Sequence, residues 1–274
     1  MIKMEEAANS GKPFFLAVGI LKPHLPFGSP KSYYDLYEGR SLPPINHPVK
    51  PNGKSTWHPS GEFMKYNRWG KDPNEDTAFS EEVRRHYAAA VSYADAQVGK
   101  VLQALKQSGA DKNTIVVFTS DHGYHLGEKG HWQKQTLFEK STRVPLIISV
   151  PRLENQGASS VSPVELIDLY PTLMDLTNIK TPQHVVGKSL KPIINNVNSS
   201  VRNSALTRLR NGYSIKTKRY RLTKWRCNGG LGYELYDHKN DKKELINLFG
   251  NEDYRVIEDS LKLLIDQRIR EAST

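Results

Sequence analysis

Cysteine is almost absent from this sequence, since Cys227 is the single cysteine in 274 residues. One cysteine excludes an internal disulfide and a zinc site built from several thiolates. Long apolar runs are absent as well: the longest are strand-sized, far below the roughly 20 apolar residues of a membrane-spanning helix. The first eight residues lack the apolar core of a signal peptide, so we identify no signal peptide in this chain.

What is present fits a folded, water-soluble protein, with 37% hydrophobic and 25% charged residues. The net charge of +10 indicates an acidic partner. The basic residues concentrate in residues 208–226, which contain eight Lys or Arg and no Asp or Glu. This stretch is either a solvated strand face with cations that protect a sheet edge, or a surface for a polyanion.

The pattern of elements predicts a mostly parallel α/β sheet flanked by helices in residues 1–196. Short β-branched and aromatic runs at 14–20, 114–119 and 144–151 are typical of buried strands. A long amphipathic helix is predicted from Ser80 to about Gly109, and shorter helices at 137–142 and 164–176. Residues 28–79 form a long excursion without a regular period, a class of loop that is usually functional or mobile.

Residues 197–274 have a different texture and predict a small α+β subdomain. Alternating segments at 212–217 and 220–225, and a short segment at 234–237, indicate antiparallel strands. An amphipathic helix over 254–270 ends the sequence. The predicted division is therefore 1–196 and 197–274.

A cluster of polar side chains follows the predicted central strand. Asp121 and His122 are both able to ligate a divalent metal, and Lys134 adds a positive charge to the same loop. His24 comes from the end of a different strand, between two prolines that restrict its backbone. Open α/β sheets bind ligands at the carboxyl ends of their strands. The group suits the stabilisation of a tetrahedral oxyanion, but a structural Asp–His pair is an equally open interpretation.

Several motifs resemble the sulfatase family of the alkaline-phosphatase superfamily, and most of all the group of iduronate-2-sulfatases and their bacterial relatives. In the central loop these are Ser-Asp-His-Gly at 120–123, Leu-Gly-Glu at 126–128 and Trp-Gln-Lys at 132–134. Further motifs agree in order along the chain: Lys-Pro-His-Leu-Pro-Phe at 22–27, Ser-Tyr-Ala-Asp-Ala-Gln-Val-Gly at 92–99, Thr-Arg-Val-Pro-Leu-Ile at 142–147, and Glu-Leu-Tyr-Asp at 234–237.

The resemblance implies an alkaline-phosphatase-like fold and the hydrolysis of sulfate esters on a sulfated carbohydrate. It implies that Asp121 and His122 bind Ca²⁺, with Mg²⁺ as the alternative metal, although calcium prefers oxygen ligands and Asp121 is the better match. It also implies that Lys134 binds the sulfate oxygens and that His24 contacts the sulfate or assists the leaving group. The resemblance further implies that Tyr124 contacts the substrate, because it lies where the family has an aromatic residue near the sugar.

One departure from the family pattern affects activity. Sulfatases attack with a formylglycine made from a Cys/Ser-x-Pro-x-Arg motif, and no such motif, nor an Asp-Asp pair, occurs in this sequence. Cys227 lies in Trp-Arg-Cys-Asn-Gly-Gly and does not match it. The sequence therefore resembles the C-terminal portion of a sulfatase, whose partner would be the missing N-terminal portion with the formylglycine. We expect this chain alone to be inactive, and the intact protein to be periplasmic or extracellular.

Two other functions remain open from the sequence. The first is a phosphatase or phosphonate hydrolase of the same superfamily, which would differ in its nucleophile. The second is a non-catalytic basic module that binds an anion or a nucleic acid through residues 208–226. Because no nucleic-acid-binding motif is recognisable, we expect no nucleic-acid partner.

Overall fold

The computed structural model describes residues 2–51, 61–154, 156–227 and 230–272. Part of the predicted excursion, residues 52–60, therefore lies outside the described residues. The helices are α1 (Ile2–Asn9), α2 (Lys31–Tyr34), α3 (Thr77–Gln107), α4 (Glu139–Thr142), α5 (Leu169–Leu176), α6 (Lys191–Asn195) and α7 (Arg255–Glu271). The strands are β1 (Val116–Thr119), β2 (Leu146–Ser149), β3 (Ala205–Leu209), β4 (Gly212–Lys216), β5 (Tyr220–Cys227) and β6 (Gly230–Asp237).

The long helix α3 confirms the predicted helix but begins earlier than expected. Its N-cap is Asp76, whose carboxylate accepts a hydrogen bond from the Phe79 amide at 2.9 Å. Ser80, the predicted cap, lies buried inside the first turns instead. The Asp76 carboxylate satisfies one of the free amides at the helix start, so the preceding turn becomes helical as well.

The predicted parallel order is not seen among the described strands of the first layer. β1 and β2 pair antiparallel, with Val116 opposite Ser149 and Thr119 opposite Leu146. Residues 14–20, predicted as a buried strand, run extended but are not assigned to a strand, and the side chain of Phe15 is 83% exposed. The prediction of burial was wrong for these segments, because apolar composition by itself does not provide a covering layer. Among the described residues, the cluster that covers Val116 of β1 comes from α1, α3 and neighbouring residues that include Leu16.

The C-terminal α+β subdomain is confirmed. Strands β3 to β6 form one antiparallel sheet in sequential order, and α7 packs on it. The core of this unit consists of Ile215, Leu222, Leu235, Leu261 and Ile265. β3 was not predicted from the sequence, although its pairing with β4 through a two-residue loop completes the sheet. The division at residue 196 stays a prediction.

A buried ion network joins the subdomain to helix α4. Arg221 on β5 donates through Nε to Glu244 Oε1 at 2.6 Å and through Nη2 to the Glu139 carboxylate. The Glu244 carboxylate also accepts from the Glu139 amide at 2.9 Å. Burial alone raises the pKa of Glu244, but Arg221 and His238 outweigh it and lower this pKa from 4.5 to about 2.

This network predicts a specific acid sensitivity. Because the pKa of Glu244 is lower in the folded chain than in the unfolded chain, its contribution to stability is complete above about pH 4.5 and is lost as the pH falls towards 2. We expect a loss of about 3 kcal/mol from this group over that interval. Urea unfolding at several pH values should show a shallower pH dependence for Glu244→Gln than for the wild type. Equal slopes in both proteins would contradict the assignment.

Candidate functional site

The loop between β1 and α4 is held in one conformation by main-chain hydrogen bonds. The Gly123 amide donates to the Ser141 carbonyl at 2.9 Å, and the His125 amide donates to the Gln133 carbonyl at 2.9 Å. A β-carbon at Gly123 would lie 1.9 Å from the Lys140 carbonyl oxygen, so only glycine fits this approach. The loop therefore presents its polar side chains on a rigid frame.

An aromatic cluster fixes three separate segments around this loop. Trp132 is fully buried and donates through Nε1 to Asn74 Oδ1 at 3.0 Å. Phe63 lies against Trp132 with ring centroids 5.8 Å apart and stacks on Phe27 at 6.1 Å. Phe27 belongs to the segment that carries His24, and Phe63 to the excursion. The cluster thus brings distant parts of the sequence to one place.

Lys134 and His24, two of the predicted site residues, lie in direct contact. The Lys134 Nζ and His24 Nε2 atoms are 2.9 Å apart, although the residues are 110 positions apart in the chain. His24 Nδ1 is 2.7 Å from the Leu25 carbonyl oxygen. Because a carbonyl only accepts, Nδ1 carries a proton and donates, and Nε2 of the neutral ring accepts from Lys134. The peptide bonds before Pro23 and Pro26, on both sides of His24, are cis.

Lys134 has a second partner that the sequence did not indicate. Glu62 Oε1 lies 2.9 Å from Lys134 Nζ, and the two side chains are only 20% and 19% exposed. Glu62 sits in the excursion, where no periodicity or motif distinguishes it. Its approach to Lys134 becomes visible only in the structure.

Asp121 and His122 form a separate exposed pair. His122 Nε2 lies 3.6 Å from Asp121 Oδ2, and the Asp121 side chain is 84% exposed. His122 Nδ1 donates to the Gly123 carbonyl at 2.9 Å, which leaves Nε2 of the neutral ring as an acceptor. No hydrogen bond or ion pair among the described residues joins this pair to Lys134 or His24.

The donor set at Asp121 and His122 fits a divalent cation in part. The Asp121 Oδ2 atom and His122 Nε2 face each other and accept no hydrogen bond from a described residue, so both are available as ligands. Calcium takes six to eight oxygen ligands, so two protein donors would need further oxygens to complete its shell. Asp121 supplies the oxygen that calcium prefers, whereas His122 suits a softer metal.

Tyr124 lies within the aromatic cluster and is partly buried. Its hydroxyl donates to the Trp132 carbonyl at 3.3 Å, and its ring meets Phe27 edge-on at 5.5 Å. Burial, together with the nearby Glu62 carboxylate, raises the pKa of Tyr124 well above its usual value. Its contact with substrate stays a prediction.

A second cluster with metal-ligand chemistry was not predicted. The ligand atoms of Glu139, His238 and Glu244 lie within 4.8 Å of one another. Arg221, however, already contacts both carboxylates of this cluster. A guanidinium in this place supplies the positive charge that a cation would bring, so we interpret the cluster as the ion network described above.

The basic stretch 208–226 is used in part for internal pairing. Arg219 makes a two-point contact with Asp237 at 2.8 and 2.7 Å, and Lys224 Nζ lies 2.6 Å from Asp266 Oδ1. Lys224 belongs to β5, which is an inner strand and not a sheet edge, and Arg219 lies directly before this strand. At the β3–β4 loop, Arg210 Nη2 donates to Gln135 Oε1 at 3.0 Å. The β3–β4 loop therefore contacts Gln135, the residue that follows Lys134 in the chain.

This chain is similar in sequence to proteins of a known family. The sequence profile of the sulfatase family matches residues 2–179, and that of the C-terminal part of N-sulphoglucosamine sulphohydrolase matches residues 127–271. A sulfatase of Formosa agariphila is 33% identical over 262 residues, which cover 94% of this chain. The chain belongs to the sulfatase family.

Other relatives agree with this membership. Human iduronate 2-sulfatase is 34% identical over 218 residues, covering 65% of this sulfatase chain and 38% of the human protein. A solved structure of a protein in complex with its substrate D-glucosamine-2-N,6-O-disulfate superposes with a TM-score of 0.69 and 29% identity, over 73% of this chain and 43% of that one. The predicted family and alkaline-phosphatase-like fold are thereby confirmed.

The matches cover only part of each relative's sequence. The chain spans about half the length of the curated relatives it matches, from 50% of the Formosa sulfatase to 38% of the human enzyme. Sulfatases generally depend on a metal. This property of the family agrees with the expected metal, but it does not assign a metal to Asp121 and His122. None of the helices in the described part of the chain is long and apolar enough to cross a membrane.

Proposed function

We propose that this chain carries the sulfate-binding part of a sulfuric ester hydrolase that acts on a sulfated sugar or glycan. The observation that supports it most directly is the contact of Lys134 Nζ with His24 Nε2 at 2.9 Å in a member of the sulfatase family. A fixed ammonium beside an imidazole suits an ester whose anionic oxygens need stabilisation and whose leaving oxygen needs a proton.

The roles of the two residues follow from their chemistry. Lys134 has three N–H donors, of which one points to His24 and one to Glu62, so the third is available to a sulfate oxygen. His24 holds a proton on Nδ1 towards the Leu25 carbonyl, which orients the ring. In this proposal a bound ester replaces Lys134 as the partner of Nε2, and the ring, once protonated on Nε2, donates that proton to the leaving oxygen.

Asp121 and His122 would hold the divalent metal of this proposal, calcium in the first instance. When bound, such an ion neutralises negative charge that develops on the sulfate. Asp121 would be the stronger ligand, because its exposed carboxylate oxygen matches the preference of calcium. His122 would act as an additional donor through Nε2.

The attacking group would come from a segment outside these 274 residues, since no Cys/Ser-x-Pro-x-Arg motif occurs within them. In this proposal a formylglycine made from that motif is the nucleophile, and an N-terminal portion of the same protein supplies it. The sulfated carbohydrate as substrate is supported by the names of the relatives, which include iduronate 2-sulfatase and N-acetylglucosamine-6-O-sulfatase. A periplasmic or extracellular location for the intact protein belongs to the same proposal.

Binding without turnover is the expected behaviour of the purified chain. We expect 4-nitrophenyl sulfate to bind saturably near Lys134, because the ammonium and imidazole are already in place, and to remain uncleaved. Titration followed by the NMR signal of the His24 ring measures binding, and the absorbance of 4-nitrophenolate measures turnover. Detectable turnover would contradict the placement of the nucleophile elsewhere, whereas absence of saturable binding would contradict the site itself.

A further inference from the structure

The Glu62 carboxylate is part of the immediate surroundings of the anion site. It approaches Lys134 Nζ to 2.9 Å, and neither side chain is more than one fifth exposed. Solvent therefore screens this pair less than it screens an ion pair at the surface. The proposed substrate is an anion that Lys134 binds. A carboxylate 2.9 Å from the Lys134 ammonium therefore affects which anions bind there.

The position of Glu62 is set by the packing of its neighbour. The Phe63 amide donates to the Trp132 carbonyl at 3.1 Å, and the Phe63 side chain is buried between Trp132 and Phe27. The Glu62 segment is thus tied to the loop that carries Lys134. The carboxylate is held at the site and does not swing freely in solvent.

The second carboxylate oxygen of Glu62 adds an independent observation. Glu62 Oε2 is buried and has no hydrogen-bond partner among the described residues. A carboxylate that served only as half of a structural ion pair would normally have both oxygens satisfied when buried. An unsatisfied oxygen leaves the negative charge of Glu62 only partly neutralised, and this charge acts on any ligand of Lys134.

The charges of Lys134 and Glu62 cancel each other before a ligand binds. Lys134 contributes one positive charge and Glu62 one negative charge, and the neutral form of His24 contributes none. Glu128, on the same loop as Lys134, pairs with Lys140 of α4 at 2.9 Å. Each unit of negative charge on a ligand is attracted by Lys134 and repelled by Glu62. The repulsion from Glu62 is about twice as large for a doubly charged ligand as for a singly charged one, so Glu62 weakens the binding of the doubly charged ligand more.

We propose that Glu62 is a specificity-determining residue that makes the Lys134–His24 site favour a singly charged ester, such as a sulfate monoester, over a doubly charged phosphate monoester. This inference rests on the proposed function of the same site and adds how the site selects its substrate class. It distinguishes sulfate esters from phosphate esters by charge, since the two groups have nearly the same tetrahedral shape.

The test compares two esters that differ in charge and share their leaving group. At a pH near 8, 4-nitrophenyl sulfate carries one negative charge and 4-nitrophenyl phosphate carries two, because the second pKa of a phosphate ester is about 6. Dissociation constants of both esters are measured for the wild-type chain and for Glu62→Gln, which removes the charge and keeps the shape. We expect Glu62→Gln to improve the binding of the phosphate ester roughly tenfold more than that of the sulfate ester.

Two further variants make the result decisive. Glu62→Asp keeps the charge and should keep the wild-type preference for the sulfate ester. Glu252→Gln makes the same change of net charge at an exposed position before α7 and should leave the ratio of the two constants unchanged.

The opposing outcomes are distinct. An unchanged ratio in Glu62→Gln, or equal improvement for both esters, would overturn the proposal. Loss of binding for both esters would show that Glu62 only positions Lys134, and would overturn it as well. If neither ester binds the wild-type chain, the proposed function fails and the inference fails with it, whereas sulfate binding with an unchanged ratio removes the inference alone.

Discussion

Replacing Lys134 by alanine is expected to weaken the binding of 4-nitrophenyl sulfate by about 10- to 100-fold. A hydrogen bond from a charged donor contributes about 1.5–3 kcal/mol, which corresponds to that range of dissociation constants. The removed ammonium is the cation that contacts His24 Nε2 at 2.9 Å and Glu62 Oε1 at 2.9 Å. NMR titration of the chain with the ester measures the change.

The effect on catalysis should be larger than the effect on binding. In a longer polypeptide that joins these residues to a formylglycine-bearing segment, Lys134→Ala should reduce kcat by about 10²–10³-fold, the usual cost of removing one group that stabilises an oxyanion. Lys112→Ala is a suitable control, because Lys112 is exposed in the turn before β1. Near-normal binding and turnover in Lys134→Ala would show that the sulfate lies elsewhere.

Replacing Arg221 by alanine is expected to reduce the free energy of unfolding by about 3–5 kcal/mol. Arg221 is almost completely buried and contacts the carboxylates of Glu139 and Glu244, of which Glu244 is equally buried. Removal of the guanidinium would leave a buried carboxylate without its main cationic partner. Urea unfolding followed by circular dichroism measures the difference.

Arg143→Ala provides the matched control for this experiment. Arg143 pairs with the same Glu139 carboxylate at 3.9 Å, but its side chain is 79% exposed. Surface ion pairs contribute about 0–1 kcal/mol, so this variant should unfold almost as the wild type does. A loss below about 1 kcal/mol in Arg221→Ala would mean that the network contributes little to stability.

The elements with strong periodicity were predictable from the sequence. The apolar residues of α3 recur at helical spacing, and apolar and polar residues alternate along β4 and the first half of β5. Both patterns involve residues that are close together in the chain, so they can be recognised from the local sequence. The start of α3 was less accurate, because Asp76 and Ser80 are both acceptable caps and local sequence does not choose between them.

Predictions that depended on a covering layer were less successful. Residues 14–20 have the composition of a buried strand, yet Phe15 and Val18 are exposed and no strand forms there. β1 and β2 have the same apolar character, but they pair antiparallel and Ile147 is 60% exposed. An apolar composition indicates that a segment favours burial. Whether the segment is buried depends on the elements that pack against it.

The sequence by itself determined the family and the α+β character of the C-terminal subdomain, and it supplied the candidate residues His24, Asp121, His122, Tyr124 and Lys134. These depend on short motifs and local periodicity, which a single chain displays directly. Only the tertiary structure decided that Lys134 contacts both His24 and Glu62. It also decided that Arg221 on β5 binds Glu139, a residue that precedes the predicted subdomain in the chain. Such contacts join residues far apart in the chain, and their partners are selected by packing around Trp132 and the sheet, which no local pattern encodes.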